Sequence, residues 1–188
     1  MQHYALPTRL LDITSNPLVA LYFACQNYKK NDDGVVYVFK IRKNEIKYYD
    51  SDSVSLISNL AKLNIEKSDF TDSGCFDYLM HEIRDEKPHF RSDLPQELNE
   101  NDLTKVFPVK VKLNNNRIVS QSGAFFIFGI ENLTSKLKPA SLSSPIIDKQ
   151  IIIPNKSKAG LIEILEKLAI NETTLFPELE HQAKYLIR

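Results

Sequence analysis

The sequence is poor in cysteine and glycine and has no excess of charge of either sign. Its two cysteines, Cys25 and Cys75, lie fifty residues apart and outside any Cys-x-x-Cys pair. They are expected to be small core residues, and neither a disulfide scaffold nor a thiolate zinc site is expected. The five glycines form no G-x-G-x-x-G or phosphate-loop pattern. Twenty-four basic residues balance twenty-four acidic ones, which argues against long nucleic acid as a partner.

Long hydrophobic runs are also missing. The longest, residues 17–25, has about nine residues, whereas a membrane-spanning helix needs roughly 20. The first seven residues have neither the basic nor the apolar region of a secretory signal, so we expect a cytoplasmic protein. With 188 residues, 43% of them hydrophobic and 26% charged, the chain has the composition of one soluble globular domain.

Hydrophobic periodicity predicts a mixed architecture. Asn16 and Pro17 form a helix start, because an Asn side chain can cap the first turn and proline fits its first position. Apolar residues at helical spacing predict helices at residues 17–29, 53–64, 75–84, from a cap at Ser157 to Leu168, and from Phe176 to Ile187. β-Branched, aromatic or alternating segments predict strands at residues 35–41, 106–113, 124–130 and 150–153.

Two further segments complete this prediction. Residues 44–49 are either a short edge strand or part of a hairpin with the strand before them, and residues 86–103 have the pattern of a loop. The resulting fold class is α+β, with a mixed or antiparallel sheet and flanking helices.

The N-terminal segment carries the densest group of polar side chains. Arg9 and Asp12 could pair, and the planar guanidinium of arginine suits a carboxylate or a phosphate. Ordered loops rich in hydrogen-bonding groups often form sites. The alternative is that Asp12 and Thr14 brace the turn into the helix while Arg9 is a solvated partner. The residues of this group are Gln2, His3, Tyr4, Thr8, Arg9, Asp12 and Thr14.

A second polar group, residues 117–123, leads into the apolar strand at 124–130. Gln121, Ser122 and Gly123 would place an amide, a hydroxyl and a permissive backbone at a sheet edge, where a ligand can approach. The alternative is an ordinary β-turn. His81, Glu82 and His89 do not form H-E-x-x-H and have no third ligand at metal spacing, so no metal site is predicted.

Three segments of the chain resemble motifs of one known family. Residues 2–24, QHYALPTRLLDITSNPLVALYFA, are similar to the segment QHYGLPTRLLDWTxNPxxALxFA of the FRG domain family, with Ala5 in place of glycine and Ile13 in place of tryptophan. Residues 117–126 are similar to its R-x-x-x-Q-x-G-x-F element, and residues 175–179 to its L-F-P-[DE]-L element. The F/Y-R-G motif that names the family does not precede residue 2. We therefore expect one FRG domain over residues 1–188 without its N-terminal segment.

The order of these elements resembles the three-part layout of ADP-ribosyltransferase folds, which implies NAD as a substrate. By this resemblance, residues 12–14 form the middle element, His3 and Tyr4 line the nicotinamide side, and Gln121 stands at the third element. Gln121 and Asp12 are then catalytic, although Gln121 can form hydrogen bonds but cannot act as a carboxylate base. The implied ligand-binding residues are His3, Tyr4, Thr8, Arg9, Thr14, Arg117, Ser122 and Gly123.

Two functions follow from the resemblance. The first is an ADP-ribosyltransferase-like effector, a toxin or phage-defence protein that modifies an unknown macromolecule and is impaired in this shortened form. The second is a non-catalytic recognition module that binds a protein or a nucleotide. The missing N-terminal motif favours the second.

Overall fold

The structure is a computed structural model that describes residues 8–26, 31–63, 73–90, 101–133, 138–142 and 146–177. Strand β1 (Leu10–Thr14) leads into helix α1 (Pro17–Cys25), and β2 (Gly34–Phe39) follows. A 3-10 turn at Lys43–Glu45 precedes β3 (Lys47–Tyr48). The later elements are α2 (Asp52–Asn59), a 3-10 turn (Leu60–Lys62), α3 (Ser73–Glu86), β4 (Val106–Lys110), α4 (Asn116–Ser120), β5 (Gly123–Phe128), β6 (Ile147–Ile153), α5 (Asn155–Lys167) and α6 (Glu172–Leu175).

The strands form two sheets, which confirms the predicted α+β class. The larger sheet has the order β1-β5-β4-β3. It is mixed, because β3 pairs parallel with β4 and β4 pairs antiparallel with β5. The smaller sheet pairs β2 with β6 antiparallel, with Gly34 opposite Ile153. Since β3 joins β4, the edge-strand alternative for residues 44–49 is correct and the hairpin with β2 is not.

The chain divides into two compact units. The first comprises the described residues of 1–11, 42–110 and 125–142, and the second those of 12–41, 111–124 and 143–188. The division therefore falls within β1 and within β5.

The first unit is built around α2 and α3, which pack together. Their buried faces follow from apolar residues at helical spacing, including Ile57 on α2 and Leu79 and Ile83 on α3. Gly129 follows β5 where a side chain has no room, because an added Cβ would lie 1.9 Å from the carbonyl oxygen of Leu103.

The second unit has its own apolar cluster, in which α1 packs against α5. The predicted start of α1 is confirmed, since the Asn16 carboxamide oxygen accepts a hydrogen bond from the Leu18 amide at 3.0 Å. The helix ends at Cys25 instead of residue 29, and residues 27–30 lie outside the described part. The buried members of the cluster are Val19, Tyr22, Leu165, Leu175 and Phe176.

Strand β2 lies very close to the end of α1. A Cβ on Gly34 would stand 2.3 Å from the carbonyl oxygen of Ala24 and 3.2 Å from Cε of Lys158. Cys25 is fully buried, as expected for a core residue. Burial raises the pKa of its thiol, and the nearby charge of Lys158 opposes this shift.

Two sequence-based boundaries need correction, and a third lies mostly outside the described residues. Ser157 does not cap α5, because the helix begins at Asn155, whose amide donates to the Asp33 carboxylate at 2.8 Å. Residues 116–120 form a short helix that the sequence did not predict, because Asn115 caps them by accepting from the Arg117 amide. The predicted helix from Phe176 to Ile187 falls almost wholly on residues 178–188, which lie outside the described part.

Candidate functional site

The end of β1 lies against the turn between α4 and β5. The Thr14 hydroxyl donates to the backbone carbonyl of Gln121 at 2.7 Å and accepts from the Asn16 amide at 3.0 Å. The Ser15 amide donates to the backbone carbonyl of Ser122 at 3.1 Å. These bonds join two polar groups that are more than one hundred residues apart in the chain.

The Gln121 side chain connects the same turn to α6. Its amide nitrogen, Nε2, donates to the backbone carbonyl of Leu175 at 3.0 Å. Leu175 begins the third of the segments singled out from the sequence, so residues 12–24 of the first segment, residues 117–124 of the second and residues 175–177 of the third all belong to the second unit. Nε2 thereby satisfies a carbonyl at the end of a short helix, where the last carbonyls have no partner within the helix.

The backbone of this turn differs from the sequence prediction at one position. We expected Gly123 to supply the permissive conformation, but no described glycine has a positive φ. Ser122 has it instead, with φ of 48°. A left-handed serine costs more than a left-handed glycine, and the carbonyl of Ser122 is the acceptor for the Ser15 amide. Gly123 is the first residue of β5, and an added Cβ there would meet Ile118 at ordinary contact distances.

An aromatic and cationic group lies beside the Gln121–Leu175 bond. The guanidinium carbon of Arg117 stands 4.7 Å above the ring centroid of Phe176, a cation–π geometry. The Phe23 ring packs edge-on against Phe176, with centroids 6.0 Å apart and planes at 78°. Phe176 is 7% exposed, whereas Phe23 is 41% exposed. The group therefore combines a buried ring, a stacked cation and a ring open to solvent.

Asp12 lies on β1 two residues before Thr14. Because alternate residues of a strand point to the same face, Asp12 shares the face on which Thr14 contacts Gln121. In an extended strand, the Cα atoms of Asp12 and Thr14 are about 7 Å apart. Asp12 is exposed, and within the described residues no hydrogen bond or ion pair of its carboxylate is found. It is the acidic group closest along the chain to the Thr14–Gln121 contact.

Arg9 and Thr8 belong to the first unit. A guanidinium nitrogen of Arg9, Nη1, donates to the backbone carbonyl of Gly129 at 3.3 Å, and burial lowers the pKa of this guanidinium. Arg9 is therefore partly buried and hydrogen-bonded, whereas the alternative interpretation expected a solvated side chain. The Thr8 hydroxyl accepts from the Leu10 amide at 3.4 Å. The predicted pairing of Arg9 with Asp12 stays a prediction.

Some predicted site residues cannot be placed, and others were missed. His3 and Tyr4 lie outside the described residues. The sequence reasoning did not select Phe23 or Phe176, because aromatic residues at helical spacing resemble core residues. The available signal was that Phe176 falls in the third resembling segment and Phe23 in the first.

No cluster of metal ligands was found among the residues that the structure describes. In the same residues, no helix is both long enough and apolar enough to cross a membrane.

Comparison with known families gives one match. The family model for the FRG domain matches residues 1–33 of this chain. No curated protein and no solved structure matches the sequence of this chain. The matched stretch includes β1, α1 and Asp12, Thr14 and Phe23; the segments at Arg117 and Leu175 lie beyond it.

Proposed function

We propose that this chain is an FRG-type domain that binds NAD and transfers ADP-ribose to a macromolecule in the cytoplasm. The observation that carries the proposal is the contact of the first two resembling segments. The Thr14 hydroxyl donates to the backbone carbonyl of Gln121 at 2.7 Å, and Asp12 shares the Thr14 face of β1. A carboxylate and an amide side chain that are distant in sequence are thereby brought into one unit, as a shared ligand site requires.

The chemistry proposed for this site is substitution at the anomeric carbon of the NAD ribose that carries nicotinamide. The bond from that carbon to the nicotinamide nitrogen breaks, and nicotinamide leaves with the electron pair. In the same transition state a nucleophile of the target, or water when no target is present, bonds to the oxocarbenium-like carbon and gives its proton to the carboxylate of Asp12. The amide oxygen of Gln121 accepts a hydrogen bond from the ribose 2′-hydroxyl, while its nitrogen holds Leu175 in place. His3 and Tyr4 are proposed to contact the nicotinamide.

Modification of a macromolecule at the expense of NAD suits an effector such as a toxin or a phage-defence protein. This role is the biological part of the proposal. It rests on the FRG match over residues 1–33 and on the proposed chemistry.

A second candidate function is a non-catalytic recognition module for a nucleotide or a protein. It is favoured by the hydrogen bonds of Thr14 and Gln121, because the side-chain donor of each residue is directed to a backbone carbonyl. Side chains engaged in this way stabilise the junction of the three segments whether or not a reaction takes place there.

The two candidates are separated by substituting Asp12. NAD binding is measured by calorimetry and nicotinamide release by chromatography for the unaltered chain, for Asp12→Asn and for Asp148→Asn. Asp148 is a matched control, because it is an exposed aspartate on strand β6 of the same unit. We expect Asp12→Asn to lower nicotinamide release by about a hundredfold or more, within the range of lost general-base catalysis, and Asp148→Asn to have no effect.

The outcomes decide between the candidates. Nicotinamide release that depends on Asp12 supports the transferase. NAD binding without release supports the recognition module and contradicts the proposed reaction. Absence of NAD binding by the unaltered chain contradicts the proposal.

A further inference from the structure

Phe23 is an aromatic side chain of α1 that the predicted site does not include. Its ring packs edge-on against Phe176 at 6.0 Å, yet 41% of the residue is exposed. The two aromatic members of the buried cluster, Tyr22 and Phe176, are each 7% exposed. Phe23 is therefore a solvent-exposed ring that packs on a buried aromatic residue.

A cationic side chain lies over the ring against which Phe23 packs. The Arg117 guanidinium stacks on Phe176 at 4.7 Å, so the ring that supports Phe23 also supports the cation. The planar guanidinium of arginine can form bidentate hydrogen bonds to a phosphate. An exposed ring and a guanidinium thus share one buried support.

This pair of groups matches a ligand that carries both an aromatic ring and a phosphate. Aromatic side chains stack on nucleobases, and guanidinium groups bind phosphates. The pair is also connected to the predicted site, because Gln121 donates to the carbonyl of Leu175, the residue directly before Phe176.

We propose that Phe23 stacks on the base of a nucleotide while Arg117 binds its phosphate, with the adenine and a phosphate of NAD as the ligand groups. The inference rests on the proposed function in taking NAD as the ligand. It differs from that function in requiring no reaction, so an adenine nucleotide alone should bind.

Tryptophan fluorescence tests the stacking directly. The chain contains no tryptophan, so Phe23→Trp introduces a single reporter at the proposed subsite. Tyr37→Trp is the matched control, because Tyr37 is an aromatic residue of the same unit and is 48% exposed on β2. ADP and NAD should quench the fluorescence of Phe23→Trp and leave that of Tyr37→Trp unchanged, and ribose 5-phosphate, which lacks a base, should quench neither.

Calorimetry with ADP provides an independent measurement. Phe23→Leu keeps an apolar side chain against Phe176 but removes the ring, and should weaken ADP binding at least about fivefold. Phe23→Tyr keeps the ring and should bind as the unaltered chain does. Circular dichroism checks that each variant folds, and the Phe23→Trp titration still gives an answer if Phe23→Leu does not.

The results separate this inference from the proposed function. Equal ADP affinity of the unaltered chain and Phe23→Leu, or quenching at neither tryptophan when ADP binds, overturns the inference even if nicotinamide is released from NAD. Selective quenching by ADP with no nicotinamide release upholds the inference and contradicts the transferase. If neither ADP nor NAD binds the unaltered chain, both are wrong.

Discussion

In the first unit, most of the large apolar side chains that the structure describes are buried, whereas the second unit exposes many of them. The first buries residues such as Leu56, Leu79 and Phe126, while the second exposes Phe23 and Ile152. The buried apolar residues of the first unit outnumber those of the second. Since burial of apolar surface is the main favourable term in folding, the first unit is stabilised mostly by packing.

Polar side chains also have different tasks in the two units. In the first, several form ion pairs at the surface, such as Lys62 with Glu86 at 2.9 Å. In the second, Thr14 and Gln121 donate to backbone carbonyls of distant segments. The difference indicates that the second unit uses polar side chains to join chain segments, so the residues proposed for function also contribute to its stability.

The largest predicted effect on stability concerns a feature that both units share. Each unit has one glycine that lies too close to a backbone oxygen to carry a side chain. Gly129→Ala and Gly34→Ala would place Cβ 1.9 Å and 2.3 Å from the backbone oxygens of Leu103 and Ala24. Backbone atoms cannot move aside as a flexible side chain can, so we expect each change to lower the free energy of unfolding by about 3 kcal/mol. Urea unfolding followed by circular dichroism measures this effect.

The control for the glycine variants is Gly160→Ala. Nothing lies within 4 Å of its added Cβ, and alanine favours a helix interior by about 1 kcal/mol over glycine. This variant should therefore be more stable than the unaltered chain. If Gly34→Ala were as stable as Gly160→Ala, the close approach of β2 to α1 would be wrong.

The second prediction concerns the polar junction of the second unit. Gln121→Leu removes the donor to the Leu175 carbonyl and should lower the free energy of unfolding by about 1 to 2 kcal/mol. Gln150→Leu, on exposed β6, should change it by less than about 0.5 kcal/mol. Equal effects in chemical unfolding would contradict the joining role that distinguishes the second unit.

A smaller effect of opposite sign is expected at the end of α5. Ala169 has φ of 59°, and the amides of Ala169 and Ile170 donate to the carbonyls of Glu166 and Leu165, which is the Schellman pattern of a helix end. Ala169→Gly relieves the left-handed strain. It should raise the free energy of unfolding by up to about 1 kcal/mol and therefore raise the thermal midpoint. Ala159→Gly, within the same helix, should lower it. A lower midpoint for Ala169→Gly would contradict this helix end.

The smallest predicted effect tests the ion pairs of the first unit. The hydrogen bond and charge of Lys62 lower the pKa of Glu86. A carboxylate with a lowered pKa in the folded state stabilises the protein above its ordinary pKa, and this contribution is lost as the pH falls through the lowered value. The stability difference between the unaltered chain and Glu86→Gln should therefore be largest near neutral pH and shrink on acidification.

Glu163→Gln is the matched control for this pH dependence, because Glu163 is an exposed helical glutamate of the second unit. The difference in stability between the unaltered chain and Glu163→Gln should stay small over the same pH range. Added salt should also reduce the Glu86 effect, because both members of the pair are partly exposed. A Glu86 effect that is unchanged by acid and salt would contradict the ion pair.

Much of the secondary structure could be predicted from local patterns. The start of α1 followed from Asn16 and Pro17, and the core of β5 from a run of apolar residues. Helix α4 was missed because its five residues are too few to show a period. The cap at Ser157 was wrong because a tertiary contact, the bond from the Asn155 amide to Asp33, stabilises an earlier start.

Local composition and spacing were enough to predict the α+β class, the approximate positions of most elements and the resemblance of residues 2–24 to the FRG family. They did not predict that Thr14 contacts Gln121, that Gln121 donates to Leu175, or that Arg117 lies over Phe176. They also did not predict that Ser122, and not Gly123, takes the left-handed conformation. The physical reason is that each of these features depends on which distant segment lies opposite a residue. That choice is made by the packing of the whole unit and leaves no periodic signal in the chain.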